Sequence, residues 1–211
     1  MLLRLEDVGF RYPSDSGDHW VLQSLNFDFV CGEMIRLDGR NGSGKSTFLQ
    51  ILADIFQPVR GSIIRYIDTA TIIYLNQNPA DFLGESLTVR EQLRVGATNR
   101  QEAALTVGAS AHALLARFGV GLEGRPNSFT VELSGGQRQI LALVCVLLAH
   151  PQLLILDEFT AYMDESSVST ACELVTGFSR QNPCTVIFVD QTGMLPLRAS
   201  RVISMSSAGK S

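Results

Sequence analysis

The chain has 211 residues, of which 45% are apolar and 18% charged, and a formal net charge of -4. That composition suits one substantial core, or one core with an inserted subdomain, and excludes a disordered chain. The acidic balance argues against a general nucleic-acid binder, which carries a basic excess.

Acidic residues arrive too early in Met1 to Asp7 for a signal peptide. Residues 2–8 alternate weakly and predict a strand, followed by Phe10-Arg11-Tyr12-Pro13 and a polar turn over 14–18. Leu25 to Phe29 alternates with period two and predicts a half-buried strand. Cys31-Gly32-Glu33 reads as a hairpin turn into a short strand, Met34 to Leu37. An antiparallel patch of sheet is expected here.

Gly39-Arg40-Asn41-Gly42-Ser43-Gly44-Lys45-Ser46-Thr47 fits the P-loop pattern. Glycines let the backbone curl so that several N–H groups face one cup with no Cβ in the way. Lys45 brings a point charge to the outer phosphates, and Ser46 a hydroxyl ligand for Mg²⁺. A helix is expected over 47–56, with its positive N-terminal end toward the phosphates.

Residues 62–66 and 71–75 are β-rich, and the second run ends in the polar loop Asn76-Gln77-Asn78-Pro79. Helical spacing follows over 89–95 and 101–118, broken by Gly119, Gly121, Gly124 and Pro126. Leu133-Ser134-Gly135-Gly136-Gln137 then precedes the apolar run Ile140 to Ala149, with Ser134 as the expected N-cap. That run is half the length of about twenty residues that a membrane helix needs, so a soluble chain is expected. His150-Pro151 ends it. The continuous apolar strand Leu153 to Leu156 delivers Asp157 and Glu158 at its C-terminal edge, where open α/β sheets carry their chemistry. A helix over 166–180, a buried strand over 185–189 and a last strand over 201–205 complete the reading. Cys31, Cys145, Cys172 and Cys184 form no CxxC pair, so buried or partly buried free thiols are expected rather than a zinc site or disulfides.

Asp157 suits a residue that orders Mg²⁺ or its water, and Glu158 beside it can serve the attacking water. With Leu133 to Gln137 lying between the P-loop and that strand, the chain resembles the ATP-binding subunit of an ABC transporter. The resemblance runs from Tyr12 to the final strand. It implies an α/β fold: a P-loop NTPase (RecA-like) core with an antiparallel β subdomain and an inserted helical subdomain. Residues 1–211 then form one ATPase domain. Residues 1–78 and 150–211 make the core with its N-terminal β subdomain, and 79–149 the helical subdomain.

The resemblance also implies roles. Tyr12 stacks on adenine. Gly39, Asn41, Gly42, Ser43, Gly44, Lys45, Ser46 and Thr47 form the Walker A loop that holds ATP. Gln77 reaches Mg²⁺ and the attacking water. Ser134, Gly135, Gly136 and Gln137 form the signature, which contacts the γ-phosphate held by a second copy in a head-to-tail dimer. Asp157 is the Walker B aspartate on Mg²⁺ and Glu158 the general base. Asp164 belongs to the loop that crosses the dimer interface. The implied partners are a membrane permease and a second nucleotide-binding subunit, on the cytoplasmic face of the membrane, with no nucleic acid. Phe82 and Leu83 are either permease contacts or core.

Gln191 stands where the family has a histidine on the γ-phosphate. An amide can donate a hydrogen bond but carries no proton or charge, so slower hydrolysis is expected. The alternatives to a transport ATPase are a soluble, non-transport ABC-type ATPase and a weakly hydrolysing regulatory partner subunit.

Overall fold

A computed structural model describes residues 1–13, 19–97, 115–116, 121–122, 124–190 and 195–206. The described strands form two sheets. β1 (Leu3–Arg11) is the centre of an antiparallel sheet ordered β2-β1-β4, with β2 at Trp20–Phe29 and β4 at Arg60–Arg65. β3 (Met34–Gly39), β5 (Ile72–Leu75), β6 (Leu153–Leu156), β7 (Thr185–Val189) and β8 (Arg201–Met205) form the second, ordered β5-β6-β7-β3-β8 with every pair parallel.

The middle of the parallel sheet is covered on both faces, which is why β6 and β7 are buried along their whole length. Successive side chains of a strand point to opposite faces. Leu154 and Leu156 of β6 enter a core with α2 (Val89–Ala97), α3 (Gly135–Leu148) and α4 (Glu165–Gln181). Leu153 and Ile155 enter a second core with the antiparallel sheet and α1 (Lys45–Leu52). Nine consecutive residues of α3, from Gln139 to Leu147, are buried, as its all-round apolar pattern requires.

The turn at Cys31 and Gly32 is not the expected hairpin. Gly32 has φ 81°, and its N–H donates to Thr185 Oγ1 at 3.0 Å. That hydroxyl donates in turn to Val30 O at 2.9 Å. The start of β7 thereby captures the chain as it leaves β2, and β3 pairs with β7 and β8 in the other sheet.

Helix α1 stops at Leu52 rather than Phe56. Asp54 takes φ 64°, its N–H donates to Ile51 O, and Ile55 N–H donates back to Gln50 O, a Schellman closure built without glycine. The thiols also divide. Cys145, Cys172 and Cys184 are buried, whereas Cys31 is exposed, outside the expected range. Of the helix expected over 101–118, only 115–116 are described; both are helical, and Leu115 is buried. Among the described residues, no helix is long and apolar enough to cross a membrane.

Candidate functional site

The C-terminal ends of three parallel strands converge. β3 leads into the loop Gly39 to Gly44, β5 into Asn76 and Gln77, and β6 into Asp157 and Glu158. A cleft of about 300 Å³ lies among them, lined by Ser46, Gln50, Tyr74, Gln77, Asp157 and Glu158 among others.

The loop glycines are needed for two different reasons. A Cβ on Gly39 would lie 2.6 Å from Ser43 Oγ and 2.7 Å from Met205 O. Gly44 has φ 91° at the N-cap of α1, a left-handed position that a side chain resists. Lys45 is buried, and its Nζ donates to the carbonyls of Gly39 (2.8 Å) and Arg40 (3.1 Å). Ser43 Oγ is buried with no hydrogen-bond partner among the described residues. A glycine cradle, a helix N-terminus, an ammonium and a spare hydroxyl together fit a phosphate chain.

Asp157 is only 5% exposed and its N–H extends the ladder to Leu75 O at 2.9 Å. Oδ2 accepts from the Tyr74 hydroxyl at 2.7 Å. Oδ1 is buried with no partner among the described residues. A buried carboxylate oxygen without a donor is costly unless a cation meets it. With Ser46 and Gln77 in the same cleft the donors are all oxygen, the set that suits Mg²⁺. Burial first, then the hydrogen bond to Asp157, pushes the Tyr74 phenol above its ordinary value.

Glu158 has φ 52°. Such a position is uncommon for a non-glycine residue and turns the chain sharply after the strand. Gln77 is exposed at the cleft, on a loop braced by its neighbours: Asn76 Nδ2 and Asn78 Nδ2 donate to the two carboxylate oxygens of Asp81, at 2.7 and 2.8 Å. Tyr12 is 45% exposed, stands edge-on to Phe10 and Phe56, and shares a 3.0 Å hydrogen bond with Thr47 Oγ1.

The residues Ser134, Gly135, Gly136 and Gln137 are not among those lining this cleft. Ser134 is the N-cap of α3: its Oγ accepts from Gln137 N–H, and Gln137 Oε1 accepts from Ser134 N–H. Two residues on, the buried Gln139 donates from Nε2 to Asn76 O at 3.0 Å, tying α3 to the loop of Gln77. Asp164 is the N-cap of α4, accepting from Ser167 N–H and Ser166 Oγ. Those hydrogen bonds, the one from the Ser167 backbone foremost, hold its carboxyl below the usual range.

Gln191 lies outside the described residues. Its neighbour Asp190 accepts from Leu195 N–H at 3.1 Å. Leu83 is core, at 5% exposure, and Phe82 is half-buried against the same core, so the permease-contact alternative fails for Leu83. A second cavity, of about 290 Å³, is lined by Leu83, Glu85, Val131, Gly135, Arg138 and Tyr162 among others. Phe129 (46%) and Val131 (54%) are exposed apolar residues that the sequence pattern hid in a loop. Tyr74 and Gln50 were also missed. The spacing of four between Ser46 and Gln50 on a helix was the available signal.

A model of the ABC transporter family matches residues 22–161. The chain is 30% identical over 217 residues to antigen peptide transporter 1 of Rattus norvegicus, with 96% of this chain aligned but only 29% of that protein's length spanned. It is 30% identical over 216 residues to the energy-coupling factor transporter ATP-binding protein EcfA1 of Geobacillus kaustophilus, covering 97% of this chain and 75% of that protein. Among solved structures, cbiO1 from Clostridium perfringens, part of the ABC transporter complex cbiONQ, superposes with a TM-score of 0.79 at 28% identity, covering 97% of this chain and 84% of that one.

Proposed function

The chain belongs to the ABC transporter family, as an ATP-binding cassette, and from that premise we propose that it couples ATP hydrolysis to transport through a separate membrane permease. The observation that carries this reading is the meeting of Ser46, Gln77, Asp157 and Glu158 in one cleft beside the P-loop, with Asp157 Oδ1 left without a donor.

In this reading the Gly39 to Thr47 loop binds the phosphates of ATP and Tyr12 offers its ring to the base. Ser46, Gln77 and Asp157 hold Mg²⁺, which when bound neutralises phosphate charge. Glu158 accepts a proton from water as that water's oxygen bonds to the γ-phosphorus. The bond from the γ-phosphorus to the bridging oxygen breaks, releasing ADP and phosphate. Lys45 and the α1 N-terminus stabilise the negative charge that is redistributed.

Because Ser134 to Gly136 stand apart from the cleft, one chain holds half a site twice over. A second copy or a homologous subunit, packed head to tail, completes each half. The division into a core at 1–78 and 150–211 and a helical part at 79–149 belongs to the same proposal. So does a place on the cytoplasmic face, with the permease seated near the exposed Phe129 and Val131.

The test is hydrolysis. Glu158→Gln lowers Mg·ATP turnover by roughly a hundredfold or more while nucleotide binding persists. Undiminished turnover contradicts the reading. We further propose that Gln191 slows turnover relative to a histidine. Gln191→His then raises the steady-state rate; an unchanged rate removes this part.

A further inference from the structure

The carboxylate of Asp157 is not held by its own strand. Its Oδ2 is held by Tyr74, which stands on the neighbouring strand, β5, in register with Ile155. Gln50 lies on α1 four residues after Ser46, so the two share a helix face, and both line the cleft. The helix that begins at the P-loop and the strand that carries Tyr74 therefore border the cleft that holds Asp157.

We infer that Tyr74 is a positioning residue for the metal site: by occupying Oδ2 it fixes the carboxylate so that Oδ1 is the oxygen offered to the cation. A tyrosine donor is suited to this task because a phenol O–H points at one acceptor and leaves the other bare. Groups that hold a metal ligand by hydrogen bonds typically account for a 10–100-fold effect on metal affinity. The inference rests on the ATPase reading above, because it supposes that Asp157 meets a cation beside bound ATP.

The experiment measures metal affinity apart from catalysis. Mn²⁺ is titrated into the full chain, loaded with a non-hydrolysable ATP analogue, and free Mn²⁺ is followed by electron paramagnetic resonance. Nucleotide affinity is measured separately in EDTA. Tyr74→Phe removes one oxygen and no packing volume. It is expected to weaken Mn²⁺ binding by about tenfold, with nucleotide affinity in EDTA unchanged. Wild-type Mn²⁺ affinity in Tyr74→Phe overturns the inference. A wild-type chain that binds neither analogue nor Mn²⁺ overturns the ATPase reading, and this inference with it. That result is distinguishable, since it needs no variant.

Discussion

Glu158 sits at φ 52°, a left-handed position that costs a non-glycine residue about 1–2 kcal/mol. The chain tolerates it two residues after β6, where Ala161 N–H closes a turn on Glu158 O at 3.1 Å. Strain of this kind at a cleft is consistent with a residue retained for chemistry rather than for stability. Glu158→Gly is therefore expected to raise unfolding stability by about 0.5–1 kcal/mol while turnover is lost. Denaturant titration and an ATPase assay on the same preparation check both halves. A less stable Glu158→Gly chain contradicts the strain argument. Tyr74 makes the complementary point. Its contact with Asp157 joins residues 83 positions apart, and no local pattern announces it.

At the scale of elements, the start of α3 serves the fold before it serves any ligand. Ser134 and Gln137 satisfy each other's backbone N–H groups in a capping box. Ser134→Ala should lower stability by about 1 kcal/mol in the nucleotide-free chain, whereas Ser134→Asn should keep most of it. Thermal or denaturant unfolding without ATP reads the cap alone, and turnover reads any contact with the partner's phosphate. Equal stability of wild type and Ser134→Ala would remove the capping role.

This helix and the strand after it were legible in the sequence because each is covered on all sides, so burial leaves an unbroken apolar run. β2 was only half legible. It begins at Trp20, but left-handed Ser24 and its hydroxyl bond to left-handed Asp7 interrupt the alternation at an irregular stretch of the pairing. The hairpin expected at Gly32 failed for a longer-range reason. The competing partner, Thr185, lies 153 residues away. The P-loop, Asp157 and Glu158 could be read because each is written in contiguous residues. The contacts of Tyr74 with Asp157 and of Gln139 with Asn76 could not, because they exist only once strands and helices are in register.

For the whole molecule, the parallel sheet brings P-loop, Gln77 and Asp157 to one edge, and α3 carries Ser134 to Gln137 away from that cleft. Gln139 links the two through Asn76 O, so the positions of α3 and of the Gln77 loop are mechanically joined. The central claim of the proposed function is that another subunit supplies the missing half of the site. The measurement that tests it most directly is the sedimentation mass of the Glu158→Gln chain at saturating Mg·ATP, beside the same chain with ADP. The account predicts twice the chain mass with ATP, the mass of one chain with ADP, and loss of the ATP-dependent dimer when Gly136→Glu is added. A chain that stays monomeric with ATP bound while the wild type, also monomeric, hydrolyses ATP at full rate would contradict it.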